Sequence, residues 1–166
     1  MELDKSQLFM QMYDDFADAV FRHCYFRLSD RDKAKDAMQD TFKRIWQYMA
    51  KGGEIDNKKA FVFKIANNLI IDSYRKKKEE SLDAMMDGGF DVGEDNTESI
   101  MTLMFAKKIE ELLESLNDKY REVIIMRYID GFSPKEIAEI TSETENNVSV
   151  RIYRGLKKLR ELVESN

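Results

Sequence analysis

The chain has 166 residues and a formal net charge of −5; 43% of the residues are hydrophobic and 36% are charged. That length suits one domain or two small ones, while one proline and seven glycines favour long helices over a turn-rich β-sheet protein. Cys24 is the single cysteine, so an internal disulfide is excluded and a reducing cytosol fits best. No apolar run approaches the roughly 18 residues of a membrane span, and the polar residues 1–6 are unlike a signal peptide. We therefore expect an all-α, cytoplasmic protein.

Charge is strongly segregated along the chain. Residues 58–78 hold seven Lys or Arg and one acidic residue, and residues 146–160 hold five Lys or Arg and no acidic residue. Between them, residues 79–98 hold eight acidic residues and no basic one. Two basic blocks separated by an acidic block indicate two surfaces for polyanions. Solvated helix faces are the alternative, and the pairing of the blocks counts against it.

The first half of the chain has the spacing of three helices. Apolar residues recur every three or four positions through residues 7–49, with a break near Ser29 and Asp30, and a glycine-containing loop covers residues 51–57. A third helix is expected from about 59 to 78. Its expected buried side consists of Val62, Ile65, Ala66, Leu69 and Ile70. The opposite face is mostly cationic and polar and consists of Lys64, Asn68, Ile71, Arg75 and Lys78.

The acidic residues 81–99 include three glycines and show no sustained period, so they are predicted to link a domain of residues 1–80 to one of residues 100–166. Helices are expected over 100–116 and 118–130, with Gly131 as a C-terminal cap.

The second domain then shows the pattern of a helix-turn-helix. Ser133 can cap a helix, Pro134 suits its first position, and Glu136 completes a capping box. A short helix to residue 140, a tight connection over 141–143 and a longer helix to about residue 164 follow.

The longer helix has two stripes. The apolar stripe consists of Val148, Ile152, Leu156, Leu159 and Val163, and the polar stripe of Asn147, Arg151, Arg154 and Lys158. Asparagine can pair with adenine and arginine with guanine, while Lys157 and Lys158 lie where phosphates would be. An αα-hairpin with a charged outer face is the alternative.

Several motifs of this domain occur together in one known family. The stretches LNDKYREV (116–123), RYIDGFS (127–133) and EIAE (136–139), followed by 148–151 and 154–160, resemble region 4 of sigma-70 family factors, in the small two-domain form called extracytoplasmic-function (ECF) sigma factors. In that family this domain binds the minus-35 promoter element. The resemblance implies contacts to this element by Ser133, Lys135, Asn146, Asn147, Arg151, Arg154, Lys157 and Lys158. Asn146 and Asn147 replace the common Gly-Thr, so the bases that they read stay open.

The first domain resembles region 2 of the same family. The stretch DAMQDTFKRIW (36–46) resembles the segment that docks on the clamp helices of the polymerase β′ subunit, which implies polymerase contacts by Asp36, Gln39, Asp40 and Lys43. An ordinary surface helix is the alternative. The stretch AFVFKIANNLIIDSYR (60–75) resembles the helix that opens the promoter and holds the minus-10 region as single strand. This implies DNA contacts by Lys64, Asn67, Asn68, Tyr74, Arg75 and Lys76.

Both domains in the family's order imply a sigma factor that binds core RNA polymerase, at the β′ clamp helices and the β flap, and directs promoter-specific initiation on duplex and single-stranded DNA. The resemblance also implies an anti-sigma factor as a partner. A stand-alone helix-turn-helix regulator and a decoy that binds polymerase without initiating are the alternatives. Catalysis, a small-molecule substrate and a cofactor are not expected. His23 and Cys24 are the only His and Cys, and we expect both to pack in the core rather than bind metal.

Overall fold

The structure is a computed structural model that describes residues 3–80 and 100–165. These residues form seven α-helices and no strand, which confirms the expected all-α class. The helices are α1 (Lys5–Leu28), α2 (Arg31–Ala50), α3 (Lys58–Glu80), α4 (Ile100–Glu114), α5 (Asp118–Ile124), α6 (Pro134–Thr141) and α7 (Glu145–Glu164), and a π turn (Ile125–Ile129) continues α5. The predicted linker, residues 81–99, lies outside the described residues.

Helices α1, α2 and α3 pack together as the first domain. The expected break between α1 and α2 is present: Ser29 ends α1 in a left-handed conformation, and the Asp30 side chain caps α2 by accepting a hydrogen bond from the Lys33 amide. At the end of α1 the Ser29 amide donates to the Tyr25 carbonyl, and at the start of α2 Asp30 satisfies an amide that has no partner within the helix. The packed core includes the fully buried side chains of Val20, Cys24, Ile45, Val62 and Ala66.

The second domain contains the expected helix-turn-helix. Ser133 and Glu136 form the capping box of α6, and Gly131, just before it, has a φ of 79°. Ser142 ends α6 with a φ of 57°, a position where glycine would avoid the steric cost of a side chain. The Thr144 hydroxyl then caps α7 by accepting from the Asn147 amide.

Two details of the second domain differ from the sequence patterns. Leu156 and Val163, expected in the apolar stripe of α7, are exposed, because α7 approaches α5 at Gly155 instead. A Cβ at Gly155 would lie 3.1 Å from Ile124 Cγ1, so a side chain there fits only if Ile124 shifts by a few tenths of an ångström. Tyr128 is also exposed, although its spacing in the sequence is that of a core residue. It lies within the π turn, which changes the helical register.

The two domains pack on each other in an arrangement that we term closed. Helices α1 and α3 contact the π turn and α6, and the rings of Phe63 and Phe132 meet edge-to-face at 4.8 Å. One apolar core therefore runs through both domains. Among the described residues, no helix has both the length and the apolar character required to cross a membrane.

Candidate nucleic-acid and polymerase interfaces

The predicted polymerase-binding side chains form one exposed face of α2. Asp36, Gln39, Asp40 and Lys43 are all exposed, as their three- and four-residue spacing predicts. Trp46 extends the same face by one turn, is 40% exposed, and rests edge-on against Phe9 at 5.3 Å. Trp46 ends the motif of residues 36–46 but is not among the contact residues predicted from it. A tryptophan three residues after Lys43, at the spacing of the polar face, is the sequence signal that could have identified it.

Four of the six predicted minus-10 residues lie on the solvent face of α3, and two do not. Lys64, Asn68, Arg75 and Lys76 are exposed. Asn67 is 1% exposed, and its Oδ1 accepts a hydrogen bond of 2.6 Å from Arg27 Nη1. The Tyr74 hydroxyl donates to the Arg27 carbonyl and accepts from Arg121 Nη1 at 3.1 Å. Asn67 and Tyr74 therefore serve contacts inside the protein in this arrangement.

Most of the predicted minus-35 side chains are exposed. This is so for Lys135 on α6 and for Asn146, Asn147, Arg154, Lys157 and Lys158 on α7. Lys158 Nζ lies 3.7 Å from Glu161 Oε2, a solvent-exposed pair of little energetic weight.

Ser133 is occupied locally by its cap. Its hydroxyl accepts from the Glu136 amide at 3.2 Å, and its own amide donates to Glu136 Oε1 at 3.1 Å. That backbone hydrogen bond, followed by the Ser133 hydroxyl, lowers the pKa of Glu136 below its ordinary value. The carboxylate is thus held charged at the start of α6, where the helix dipole also favours it.

Arg151 has a different environment from the other cations of α7. Its guanidinium donates to Glu143 Oε1 at 2.7 Å, to Glu122 Oε1 at 3.1 Å and to the Lys119 carbonyl at 2.5 Å. Only 16% of its side chain is exposed. These contacts connect α7 to α5 and to the turn before it, so Arg151 fixes the position of the helix.

Tyr153 is a surface residue that sequence analysis missed. It is 71% exposed, and Val150, one turn earlier, is 37% exposed. Both lie outside the apolar stripe and next to Arg151 or Arg154 in sequence. An aromatic residue off the apolar stripe of a basic helix is the signal that could have identified it.

The predicted DNA-facing sides of α3 and α7 meet across a cleft. A cavity of about 690 Å³ lies between the domains. Ile71 and Tyr74 line it from α3, and Asn147, Val150 and Arg154 line it from α7. The cleft is open to solvent, since Ile71, Asn147, Val150 and Arg154 are all exposed.

Comparison with known proteins assigns the family. Residues 12–80 match the family model for sigma-70 region 2, and residues 106–159 match that for sigma-70, region 4. The chain is 32% identical over 163 residues to the ECF RNA polymerase sigma factor SigW of Bacillus subtilis (strain 168), covering 92% of this chain and 87% of SigW.

Two solved structures have the same fold. The sigma factor RpoE in complex with the anti-sigma factor NepR from Bartonella quintana superposes with a TM-score of 0.78 at 25% identity, covering 94% of this chain and 96% of RpoE. CnrH in complex with the cytosolic domain of CnrY gives a TM-score of 0.71 at 23% identity, covering 95% and 88%. The chain therefore belongs to the sigma-70 family, in its ECF group, and is a promoter-recognising RNA polymerase sigma factor, a non-enzymatic initiation factor.

Proposed function

We propose that three surfaces divide the work of initiation. The polar face of α2, with Trp46, binds the clamp helices of the β′ subunit, and the second domain contacts the β flap. The exposed cationic face of α3 holds the minus-10 region as single strand, and α7 reads the minus-35 duplex. The observation that supports this proposal best lies in the first half of α7. Residues 146–154 include no acidic residue, and most of their side chains are exposed. Both helices of the helix-turn-helix have side-chain caps. This initiation would take place in the cytoplasm, with core polymerase.

The structure supports a division of roles on α7. Arg154 is exposed and lines the cleft, so its guanidinium is available for a guanine edge in the major groove. Asn146 and Asn147 occupy the first turn, which enters the groove in this class of motif. Tyr153 adds an apolar surface suited to a thymine methyl group. Arg151, bound to two carboxylates, positions the helix.

Run-off transcription tests this proposal. The full chain is mixed with core polymerase and genomic fragments, and transcripts with defined starts are the expected result. Arg154→Ala should reduce transcription from these promoters by roughly ten- to a hundredfold, the value of one bidentate base contact. Arg160→Ala is the matched control, since this exposed arginine lies near the far end of α7. Equal transcription with Arg154→Ala and wild type would show that Arg154 does not read the promoter.

The same assay separates the alternatives. A decoy would bind polymerase and give no transcripts, while a stand-alone regulator would do neither. We also propose an anti-sigma partner, supported by the solved structure of this fold in complex with an anti-sigma factor. A protein that co-purifies with the chain in its host should suppress the run-off transcripts when added back. A co-purifying protein that leaves them unchanged would not be that partner.

A further inference from the structure

Arg151 lies on the face of α7 that is proposed to read DNA, yet its guanidinium is already bound inside the second domain. Asn147, Arg151 and Arg154 follow each other at spacings of four and three residues, so their side chains share one face of the helix. All three line the cleft. Asn147 and Arg154 are exposed, whereas the Arg151 side chain is only 16% exposed. The reading face therefore has at its middle a cation that is mostly covered.

Two carboxylates hold this cation, and we term Arg151, Glu122 and Glu143 together the Arg151 cluster. Arg151 Nη2 lies 3.1 Å from Glu122 Oε1, and Nη1 lies 2.7 Å from Glu143 Oε1. Nη2 also donates to the Lys119 carbonyl. Side-chain exposure rises from 9% at Glu122 through 16% at Arg151 to 32% at Glu143. The cluster is therefore layered from the interior outward, and Glu143 holds the outer nitrogen of the guanidinium.

Glu143 reaches Arg151 from the turn between the two helices of the helix-turn-helix. The turn backbone is fixed by α6, because the amides of Ser142 and Glu143 both donate to the Ala138 carbonyl. The Glu143 side chain then crosses to Arg151, eight positions later on α7. The backbone hydrogen bonds of the turn do not involve this carboxylate. A substitution at Glu143 can therefore remove the ion pair and leave the turn in place.

A guanine edge offers Arg151 less than the cluster does. Guanine presents two neutral acceptors to an arginine, O6 and N7. The cluster presents two carboxylate oxygens and a carbonyl, and hydrogen bonds to a charged acceptor are the stronger kind. Withdrawal of Arg151 would also leave the buried Glu122 with only its 3.5 Å contact with Arg27. We therefore expect Arg151 to stay in the cluster when α7 enters a groove.

Loss of the Glu143 carboxylate would change this balance at one end of the guanidinium only. Nη2 would keep Glu122 and the Lys119 carbonyl, while Nη1 would lose its acceptor. Nη1 lies on the more exposed side of the cluster, between the groove-facing side chains of Asn147 and Arg154. An arginine donor in that position can bind guanine or a phosphate.

We propose that Glu143 is a specificity-determining residue of the minus-35 reading surface: it holds Nη1 of Arg151, keeps that arginine from a guanine edge, and leaves base reading to Arg154 and the first-turn asparagines. This inference rests on the proposed reading role of α7. It gives an acidic residue of the turn, which itself contacts no base, control over which base edges the domain reads.

Selection of promoters from a mixture tests this role in the holoenzyme. The full chain with core polymerase is given a promoter from the run-off assay whose minus-35 element is randomised, and the fragments that yield transcripts are sequenced. We expect Glu143→Ala to add a preference of about tenfold for guanine at one position, the value of one arginine contact. Arg151→Met in the same chain should remove that gain. Glu145→Ala is the matched control and should keep the wild-type preference, since it removes the same charge from the first turn of α7 and leaves the Arg151 cluster intact.

An unchanged base preference in Glu143→Ala would overturn the proposal, and so would a gain that persists with Arg151→Met. A uniform loss of transcription over all fragments would overturn it as well, since Glu143 would then only position the helix. Circular dichroism checks that each variant is folded. If Glu143→Ala is not folded, Glu143→Gln replaces it. The amide keeps an acceptor without the charge, so a smaller gain for guanine is expected, and no gain would contradict the proposal.

Arg154→Ala in the same selection separates this inference from the proposed function. If Arg154→Ala changes the preferred bases and Glu143→Ala does not, the reading role of α7 stands and the role of Glu143 is excluded. If neither variant changes the preferred bases, the reading role of α7 is excluded together with it.

Discussion

Helices α3 and α7 both carry dense positive charge, but they use their polar residues differently. On α3 the cations point outward while the amide of Asn67 and the hydroxyl of Tyr74 are bound at the domain interface. On α7 one cation, Arg151, is held by two carboxylates, and its neighbours are exposed. The comparison shows that residue type and charge alone do not separate a DNA contact from a structural contact. A polar atom that already has a partner within the protein makes a structural contact, whereas an exposed polar atom is available to DNA.

The largest expected effect is the loss of the structural arginine of α7. Arg151→Ala removes one of the two arginines that contact Glu122, whose side chain is 9% exposed, and leaves only the longer contact with Arg27. We expect a loss of about 2–3 kcal/mol in the free energy of unfolding. This value lies at or below the lower end of the range for breaking a fully buried ion pair, because the Arg151 side chain is 16% exposed. Urea unfolding measures this loss. Arg154→Ala, the matched variant, should change stability by less than about 0.5 kcal/mol. Equal effects of the two variants would remove the distinction drawn on α7.

The corresponding pair on α3 is Asn67 and Asn68. Asn67→Ala leaves the buried Arg27 guanidinium without one acceptor and should cost about 1–2 kcal/mol. Asn68→Ala, one position away and exposed, should cost less than about 0.5 kcal/mol. Unfolding curves of the full chain give both values. If Asn68→Ala is the more destabilising change, the two residues have been assigned to the wrong sides of α3.

A smaller effect is expected at the helix that supports α7. Ser133→Ala removes the cap of α6 and should cost about 1 kcal/mol. The lowered pKa of Glu136 contributes stability above its unfolded value, and this contribution is lost as pH falls through the folded value. Ser133→Ala keeps the backbone amide, which is the larger cause of the lowered pKa, and loses only the hydroxyl, so the acid-dependent loss should shrink in part. Thermal unfolding between pH 3 and 6 gives the comparison, and identical pH profiles of variant and wild type would contradict it.

The smallest effect concerns the contact of α1 with α4. Burial raises the pKa of Glu110, with a lesser contribution from Glu114, while a hydrogen bond with Tyr25 opposes the rise. Glu110 therefore contributes stability below its unfolded pKa, and that contribution is lost as pH rises through the folded value. Its slope is opposite to that of Glu136. As the pH rises above 4.5, the free energy of unfolding of Glu110→Gln should therefore rise relative to that of wild type in unfolding curves, and a relative fall would contradict this sign.

Local structure was well predicted from the sequence because its signals are local. The break near Ser29 and Asp30, the cap at Ser133 and the helix-turn-helix spacing each depend on a few neighbouring residues. The exposed face of α2 also follows from helical spacing alone. The assignment of DNA and polymerase contacts to these faces stays a prediction.

Contacts between distant residues could not be read in the same way. Asn67 is a polar residue within a basic helix, and nothing near it in sequence shows that Arg27 lies against it. The burial of Phe63 likewise depends on Phe132, 69 positions later in the chain. The π turn that exposes Tyr128 changes the register without a glycine or proline within it to signal the change.

Gly155 has a consequence for how promoter preference can diverge. Because a Cβ at Gly155 would lie 3.1 Å from Ile124 Cγ1, a substitution there would require Ile124 or α7 to shift by a few tenths of an ångström. Substitutions at Asn146, Asn147, Tyr153 or Arg154 instead change an outward surface on a helix of fixed pose. Under the proposed reading role of α7, single substitutions at these outward positions would each change promoter preference. Gly155 keeps α7 close to α5, so a substitution at an outward position leaves the position of the helix unchanged.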